Sequence, residues 1–254
     1  MDKRKTFDED AVNYDQFRPR YCEGLFTKII EFGQIDKEKK TVEIGCGTGQ
    51  ATKPFLETGC TVTAIELGEN LADFTKDKFS NYQNFTIQNL AFEDFRYEKD
   101  SIDLVYSATA FHWIPDEIGY PKVYDMLKSG GTVALFWNQP AAEEGKLDEE
   151  LQEIYVRIRK DKIREPKEVM RKYQETEGHL KKYGFVSYEH HCYTQTRTLN
   201  SEDYICLLNT YSDHISLEND LKTELYSSIQ MAIEKHGGII RLIDTIDLYL
   251  AKKP

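Results

Sequence analysis

The chain has 254 residues, 40% of them hydrophobic and 12% aromatic, enough for one packed domain and against wholesale disorder. Its 33 basic and 44 acidic residues give a net charge of −11, so a general surface for nucleic-acid phosphate or anionic lipid is not expected. No apolar run reaches the roughly 20 residues that cross a bilayer. Met1-Asp2-Lys3-Arg4-Lys5 leads into no signal core, and Cys22, Cys46, Cys60, Cys192 and Cys206 form no Cys-x-x-Cys pair; both point to a cytoplasmic protein with reduced thiols.

Short β-like runs alternate with helix-compatible stretches to about residue 140. The runs are Thr41–Ile44, Cys60–Glu66, Asn84–Gln88, Ile102–Ser107 and Thr132–Trp137, with helix expected from about Ala51 and over Leu71–Phe79. Strands separated by helix-length segments predict βαβ units, hence an α/β fold with a parallel sheet covered on both faces. After Asn138 the chain becomes charged and helical over 141–183, with Leu147, Leu151, Ile154 and Ile158 forming one stripe. A β-like stretch spans Phe185–Thr198. Helix is then expected over Ser201–His236, with Ser201 and Asp203 as its cap, and Ile239–Ala251 returns as a final strand or strand pair.

The informative segment is Val42-Glu43-Ile44-Gly45-Cys46-Gly47-Thr48-Gly49-Gln50, a buried strand running into Gly-x-Gly-x-Gly at the start of a helix. Such glycines let a ligand lie directly on backbone N–H groups at a helix N-terminus. The acid Glu66 closes the second strand, where a carboxylate can accept ribose hydroxyls. Gln50 stands where a dinucleotide fingerprint has its third glycine, and no Lys-Ser/Thr ending makes a phosphate loop.

This pairing resembles the class I S-adenosylmethionine-dependent methyltransferases. The resemblance implies a three-layer Rossmann-like fold: a seven-stranded sheet, mostly parallel with an antiparallel last strand, plus a helical cap. In that family Glu43 matches the acid that helps hold the methionine end of the cofactor. Gly45, Cys46, Gly47 and Gly49 would form the turn beneath it, Glu66 would hold the ribose, and Leu67, Ala91 and Phe92 would flank the adenine. Alanine at position 91, where many members carry an acid, leaves the adenine amino group to the backbone or Glu93. Ser107, Ala108, His112 and Trp113 fall on the loop between sulfonium and acceptor, with Ser107 and Ala108 as further cofactor contacts.

Asn13-Tyr14-Asp15-Gln16-Phe17-Arg18-Pro19-Arg20-Tyr21, with Phe7-Asp8 before it, is similar to the entry helix of the methyltransferase type 11 group. There Tyr14 and Arg18 would take the cofactor's carboxylate, a charge-assisted contact. Phe111-His112-Trp113 together with Tyr204–Ser212 is similar to the subset that includes trans-aconitate methyltransferase-like proteins.

The resemblance implies one methyltransferase domain over 1–254: entry helices over 1–35, a cofactor-binding core over 36–140, cap insertions over 141–183 and 200–236, and late strands over 184–199 and 239–253. It also implies S-adenosyl-L-methionine as cofactor and in-line methyl transfer to a small molecule, a carboxylate among the candidates, with no nucleic-acid or membrane partner. His112, Trp113, Asn138 and Tyr211 are the candidate acceptor contacts, and His112, or a tyrosine such as Tyr211, is the candidate base if the acceptor is a phenol or amine. Arg157, Arg159, Arg164, Arg171 and Arg197 are cations available to an anionic acceptor. His190-His191 reads as an edge-strand pair and not as a metal site. Two other readings stand beside the first: a protein that binds S-adenosylmethionine or S-adenosylhomocysteine without transfer, and a dinucleotide-dependent oxidoreductase.

Overall fold

The computed structural model describes residues 7, 8, 10–160 and 175–254. Helices α1 (Ala11–Phe17) and α2 (Glu23–Gly33) precede the sheet. The core then alternates β1 (Lys40–Ile44), α3 (Thr52–Glu57), β2 (Thr61–Glu66), α4 (Glu69–Lys78), β3 (Phe85–Asn89), β4 (Ile102–Ala108), α5 (Asp116–Met126) and β5 (Leu127–Ala142). Helix α6 (Lys146–Arg159) and a helix over residues 175–182, α7, lead to β6 (Val186–Asn200). Helices α8 (Ser201–Leu208), α9 (Ser212–Ile215) and α10 (Asn219–Lys235) precede β7 (Ile239–Lys252).

The seven strands lie in the order β3-β2-β1-β4-β5-β7-β6. Strands β1 to β5 pair in parallel, and β7 runs antiparallel to both β5 and β6. The order reverses between β1 and β4, and their carboxyl ends open the crevice where α/β sheets bind ligands. Helix α5 packs Tyr120, Val123 and Met126 on one face of the sheet, against Val105, Val133 and Leu135. Helices α2 and α3 cover the other with Leu25, Phe26, Ile29, Phe55 and Leu56, against Leu104, Tyr106 and Phe136. A third core joins the α6 stripe Leu151, Ile154 and Ile158 to Leu225, Ile229 and Ile233 of α10.

Three expectations shift, and a fourth, left between two forms, is decided. The fifth strand runs from Leu127 to Ala142 rather than from Thr132 to Trp137, so 141–142 belong to the sheet and not to the helical stretch. Past Phe136, the last residue paired with β4, that side of β5 has no neighbouring strand, and Pro140 costs no ladder bond there. The region 201–236 is three helices, and the cap of α8 is Asn200, whose side chain accepts the N–H of Asp203 at 2.7 Å. Residues 239–252 form one strand, not a pair.

Candidate functional site

Strand β1 delivers the chain into the turn Gly45–Gly49 at the sheet's carboxyl edge. Gly47 has φ +57°, a left-handed conformation that suits glycine, and a Cβ there would lie 3.3 Å from the Tyr14 ring. Glu66, buried at the end of β2, grips this turn. Its Oε2 accepts the N–H of Gly47 at 2.8 Å and its Oε1 that of Gly68 at 2.9 Å. Burial pushes the Glu66 carboxyl up, and the backbone donors pull it partway back. Each oxygen keeps a lone pair for a further hydroxyl.

Glu43 lies one layer beneath. It is fully buried, accepts the hydroxyls of Thr52 at 2.6 Å and Tyr106 at 3.0 Å on Oε2, and has no hydrogen-bond partner on Oε1 among the described residues. Burial pushes its carboxyl up to about 8, so it carries its proton at neutral pH. Burial likewise holds the Cys46 thiol protonated, with Glu43 adding to the effect.

The end of β4 makes the opposite wall. Thr109 adopts φ +56°, unusual for a β-branched residue, and is held there by its N–H to Phe136 O at 2.7 Å and its hydroxyl to Tyr21 at 2.9 Å. A 3-10 turn over Phe111–Trp113 buries Phe111 against Tyr120 and leaves His112 and Trp113 facing the crevice. Trp137, near the middle of β5, donates its indole N–H to Nδ1 of His112 at 3.2 Å. The next residue, Asn138, has neither side-chain amide atom hydrogen-bonded among the described residues, and neither has the hydroxyl of Tyr211, although all three atoms are buried.

The N-terminal segment roofs the crevice. Asp8 accepts the N–H of Leu71 at 2.9 Å, and Asn13 donates to Cys206 O at 3.0 Å. Phe7 packs edge-on against Trp113 and Tyr14. The Arg18 guanidinium lies 4.9 Å from the Tyr14 ring and 4.6 Å from the Tyr211 ring, and donates to Thr210 O.

These walls enclose a cavity of about 310 Å³. The structure brings Tyr14, Arg18, Gly45, Gly47, Glu66, Leu67, Ala91, Phe92, Ala108, His112, Trp113, Asn138 and Tyr211 to its lining, and Cys46 to a smaller adjoining space under α1. Three expected cofactor residues lie outside both. Glu43 is in the layer beneath. Ser107 donates its hydroxyl to Ile44 O at 2.9 Å, a strut between β4 and β1. Gly49 is a packing glycine, since a Cβ there would sit 2.4 Å from the Phe79 ring.

Among the arginines, Arg159 pairs with Asp213 and Arg197 with the fully buried Asp244, while Arg157 is exposed. Arg164 and Arg171 lie outside the described residues. His190 bonds Asp247 and His191 bonds Glu189 on the edge strand, and no metal-ligating group appears among the described residues. The sequence reading missed Thr109, Ser212 and Asp213 in the lining. It also missed Trp137 behind His112, a position that reads only as strand.

Residues 42–135 match the family described as a methyltransferase domain. A methyltransferase-like protein of Schizosaccharomyces pombe is 28% identical over 227 residues, 89% of this chain and 84% of that protein. The structure of Haemonchus contortus phosphoethanolamine N-methyltransferase 2, solved with phosphomonomethylethanolamine and S-adenosylhomocysteine, is 18% identical with TM-score 0.58; the match covers 100% of this chain and 60% of that one. A type II methyltransferase structure from Anaeromyxobacter dehalogenans superposes with TM-score 0.63 at 18% identity, over 93% of this chain and 98% of that one.

Proposed function

The chain is a class I S-adenosylmethionine-dependent methyltransferase, and from that premise we propose that it methylates a small molecule, a carboxylate suiting its cavity best. The observation that carries this is one continuous cavity with two unlike ends. At one end are Gly45, Gly47 and the cradled Glu66; at the other are Asn138 and Tyr211 with buried, unmatched polar atoms. Unpaired buried groups cost about 1–3 kcal/mol each, and a ligand that pairs them recovers that cost on binding.

The first end fits the cofactor. Glu66 retains lone pairs for ribose hydroxyls, and Leu67, Ala91 and Phe92 offer apolar contact to a base. At the roof, Tyr14 and Arg18, with Arg18 Nε buried and unpaired among the described residues, suit a carboxylate. When bound, the cofactor supplies a methyl carbon already activated by positive sulfur. The protein's part is alignment and exclusion of water, which the Phe7–Trp113 contact and the α1 roof serve.

The cavity stands at the low end of the roughly 300–1,000 Å³ range of ligand sites, so cofactor and acceptor together demand a small acceptor. An ammonium acceptor is disfavoured because the aromatic faces of Phe7, Tyr14 and Tyr211 already surround the Arg18 cation. Neutral donors from Asn138, Tyr211 and His112 suit an anion's oxygens.

Calorimetric titration with S-adenosylmethionine, S-adenosylhomocysteine and NAD tests the cofactor end. Micromolar binding of the two sulfur compounds without NAD binding is expected. Transfer of a labelled methyl group to trans-aconitate, as a probe carboxylate, tests the acceptor end. Transfer to amines and phenols but to no carboxylate in a screen would overturn the acceptor class.

A further inference from the structure

We propose that Trp137 fixes His112 in the tautomer with its proton on Nε2, so that the ring meets the acceptor as a hydrogen-bond donor and not as a base. The role toward the acceptor rests on the functional reading above; the tautomer rests on geometry alone. An indole N–H donates and has no lone pair to accept with. Its partner at 3.2 Å, Nδ1 of His112, must therefore be bare, and a neutral imidazole with a bare Nδ1 carries its proton on Nε2.

The two rings are held from both sides. Trp137 is only 8% exposed, belongs to the core under α5, and packs edge-on against Tyr249 at 6.1 Å. His112 sits in the 3-10 turn closed by Trp113 N–H to Ala110 O at 3.0 Å and Ile114 N–H to Phe111 O at 3.1 Å, and its ring is tilted on Trp113. To act as a base, His112 would have to receive the proton on Nδ1, the nitrogen facing the indole N–H behind it.

The chemical consequence concerns which acceptor atom can react. With its proton on Nε2, His112 takes none from the acceptor, which suits an oxygen that arrives ionised, as a carboxylate does at neutral pH. Its lone pair forms the new O–C bond as the C–S bond breaks, and the electron pair stays on sulfur. The positive charge of the sulfonium and the negative charge of the carboxylate cancel, and no proton leaves the acceptor. His112 Nε2–H then orients one carboxylate oxygen while the other reacts, and Trp137 is a positioning residue acting through His112.

Long-range proton–nitrogen NMR correlation on the full-length, nitrogen-15-labelled protein near neutral pH reads the tautomer directly, with and without S-adenosylhomocysteine. His112→Gln removes one of six histidine patterns and so identifies the one that matters. The expected result is a single pattern with Nε2 protonated and Nδ1 bare. A pattern with Nδ1 protonated, or with both nitrogens protonated, overturns the proposal. Trp137→Phe is expected to give a mixture of tautomers, and a folded Trp137→Phe protein with an unchanged single tautomer removes Trp137 from the role. Should that variant not fold, the Trp137 indole proton in His112→Gln serves instead: an upfield shift supports the bond and an unmoved resonance overturns it. None of these readouts depends on methyl transfer, so a failed acceptor screen leaves them intact.

Discussion

The hydroxyl of Thr52, in the first turn of α3, donates to the carboxyl group of Glu43 on β1 at 2.6 Å. It ties the two flanks of the glycine turn together from beneath. Glu43 therefore steadies the glycine turn from a buried position, with its carboxyl pushed up to about 8 by burial.

Folding favours the protonated form of Glu43, whose carboxyl is pushed from its ordinary value of 4.5 up to about 8 by burial. Its contribution to stability is thus fully present below 4.5 and is lost as pH rises to about 8. His214, pushed by burial from 6.5 down to about 4, works in the opposite sense, its contribution being lost as pH falls from 6.5 toward 4. Above pH 6.5 only the Glu43 contribution of these two still changes. Stability is expected to fall by about 2 kcal/mol between pH 6.5 and 8, and Glu43→Gln should flatten that decline. Urea unfolding of both proteins across this range checks it; equal slopes would assign the dependence elsewhere.

Gly47→Ala adds a methyl group 3.3 Å from Tyr14 in a left-handed turn, and Gly130→Ala adds one at φ +77° with nothing within 4 Å. Both should lose roughly 1–2 kcal/mol of stability from backbone strain. Only Gly47→Ala should also weaken S-adenosylhomocysteine binding, by about tenfold or more, or about 1.4 kcal/mol. Thermal melts and calorimetry on the pair separate strain from site; equal affinities would place the ligand away from this turn.

Glu66→Ala removes the acceptor for the Gly47 and Gly68 N–H groups as well as any ribose contact. Cofactor affinity should drop by about 1–3 kcal/mol, with a similar cost to stability. Glu66→Gln keeps one carbonyl acceptor and should recover part of both. A folded Glu66→Ala protein with wild-type affinity in calorimetry would remove Glu66 from the binding site.

Tyr211→Phe deletes a buried hydroxyl with no hydrogen-bond partner among the described residues. Thermal stability should hold or rise slightly, since an unmatched polar group is removed. With trans-aconitate as acceptor, KM should rise while S-adenosylhomocysteine affinity stays unchanged. An unchanged KM would confine Tyr211 to packing against Arg18.

The meeting of the glycine turn with Glu66 at one end of the cavity was legible from sequence because its determinants are local. A strand, a glycine turn and an acid closing the next strand fix where Gly47 and Glu66 meet, whatever follows. Gly49 shares that turn and Ser107 lies near the end of β4, but their roles depend on Phe79 and Ile44 O, partners that spacing does not reveal. Pro140 hid the length of β5, because proline opposes a strand only where its missing N–H would have had a partner. Trp137 is the sharpest case: pattern marks it as core, and only the fold brings its indole against His112, 25 residues earlier.

The long reach of β5 and β7 bears on how such enzymes acquire new substrates. Ala142, Ile240 and Leu242 stand on strands of the main sheet and also belong to the core beneath α6, α8 and α10. The cap is therefore an outgrowth of the sheet and not a detachable module. Transplanting α6 to α10 from a relative would leave the strand ends facing an unmatched interior. Altered acceptor choice is more accessible through single side chains on the cavity wall than through wholesale exchange of the cap.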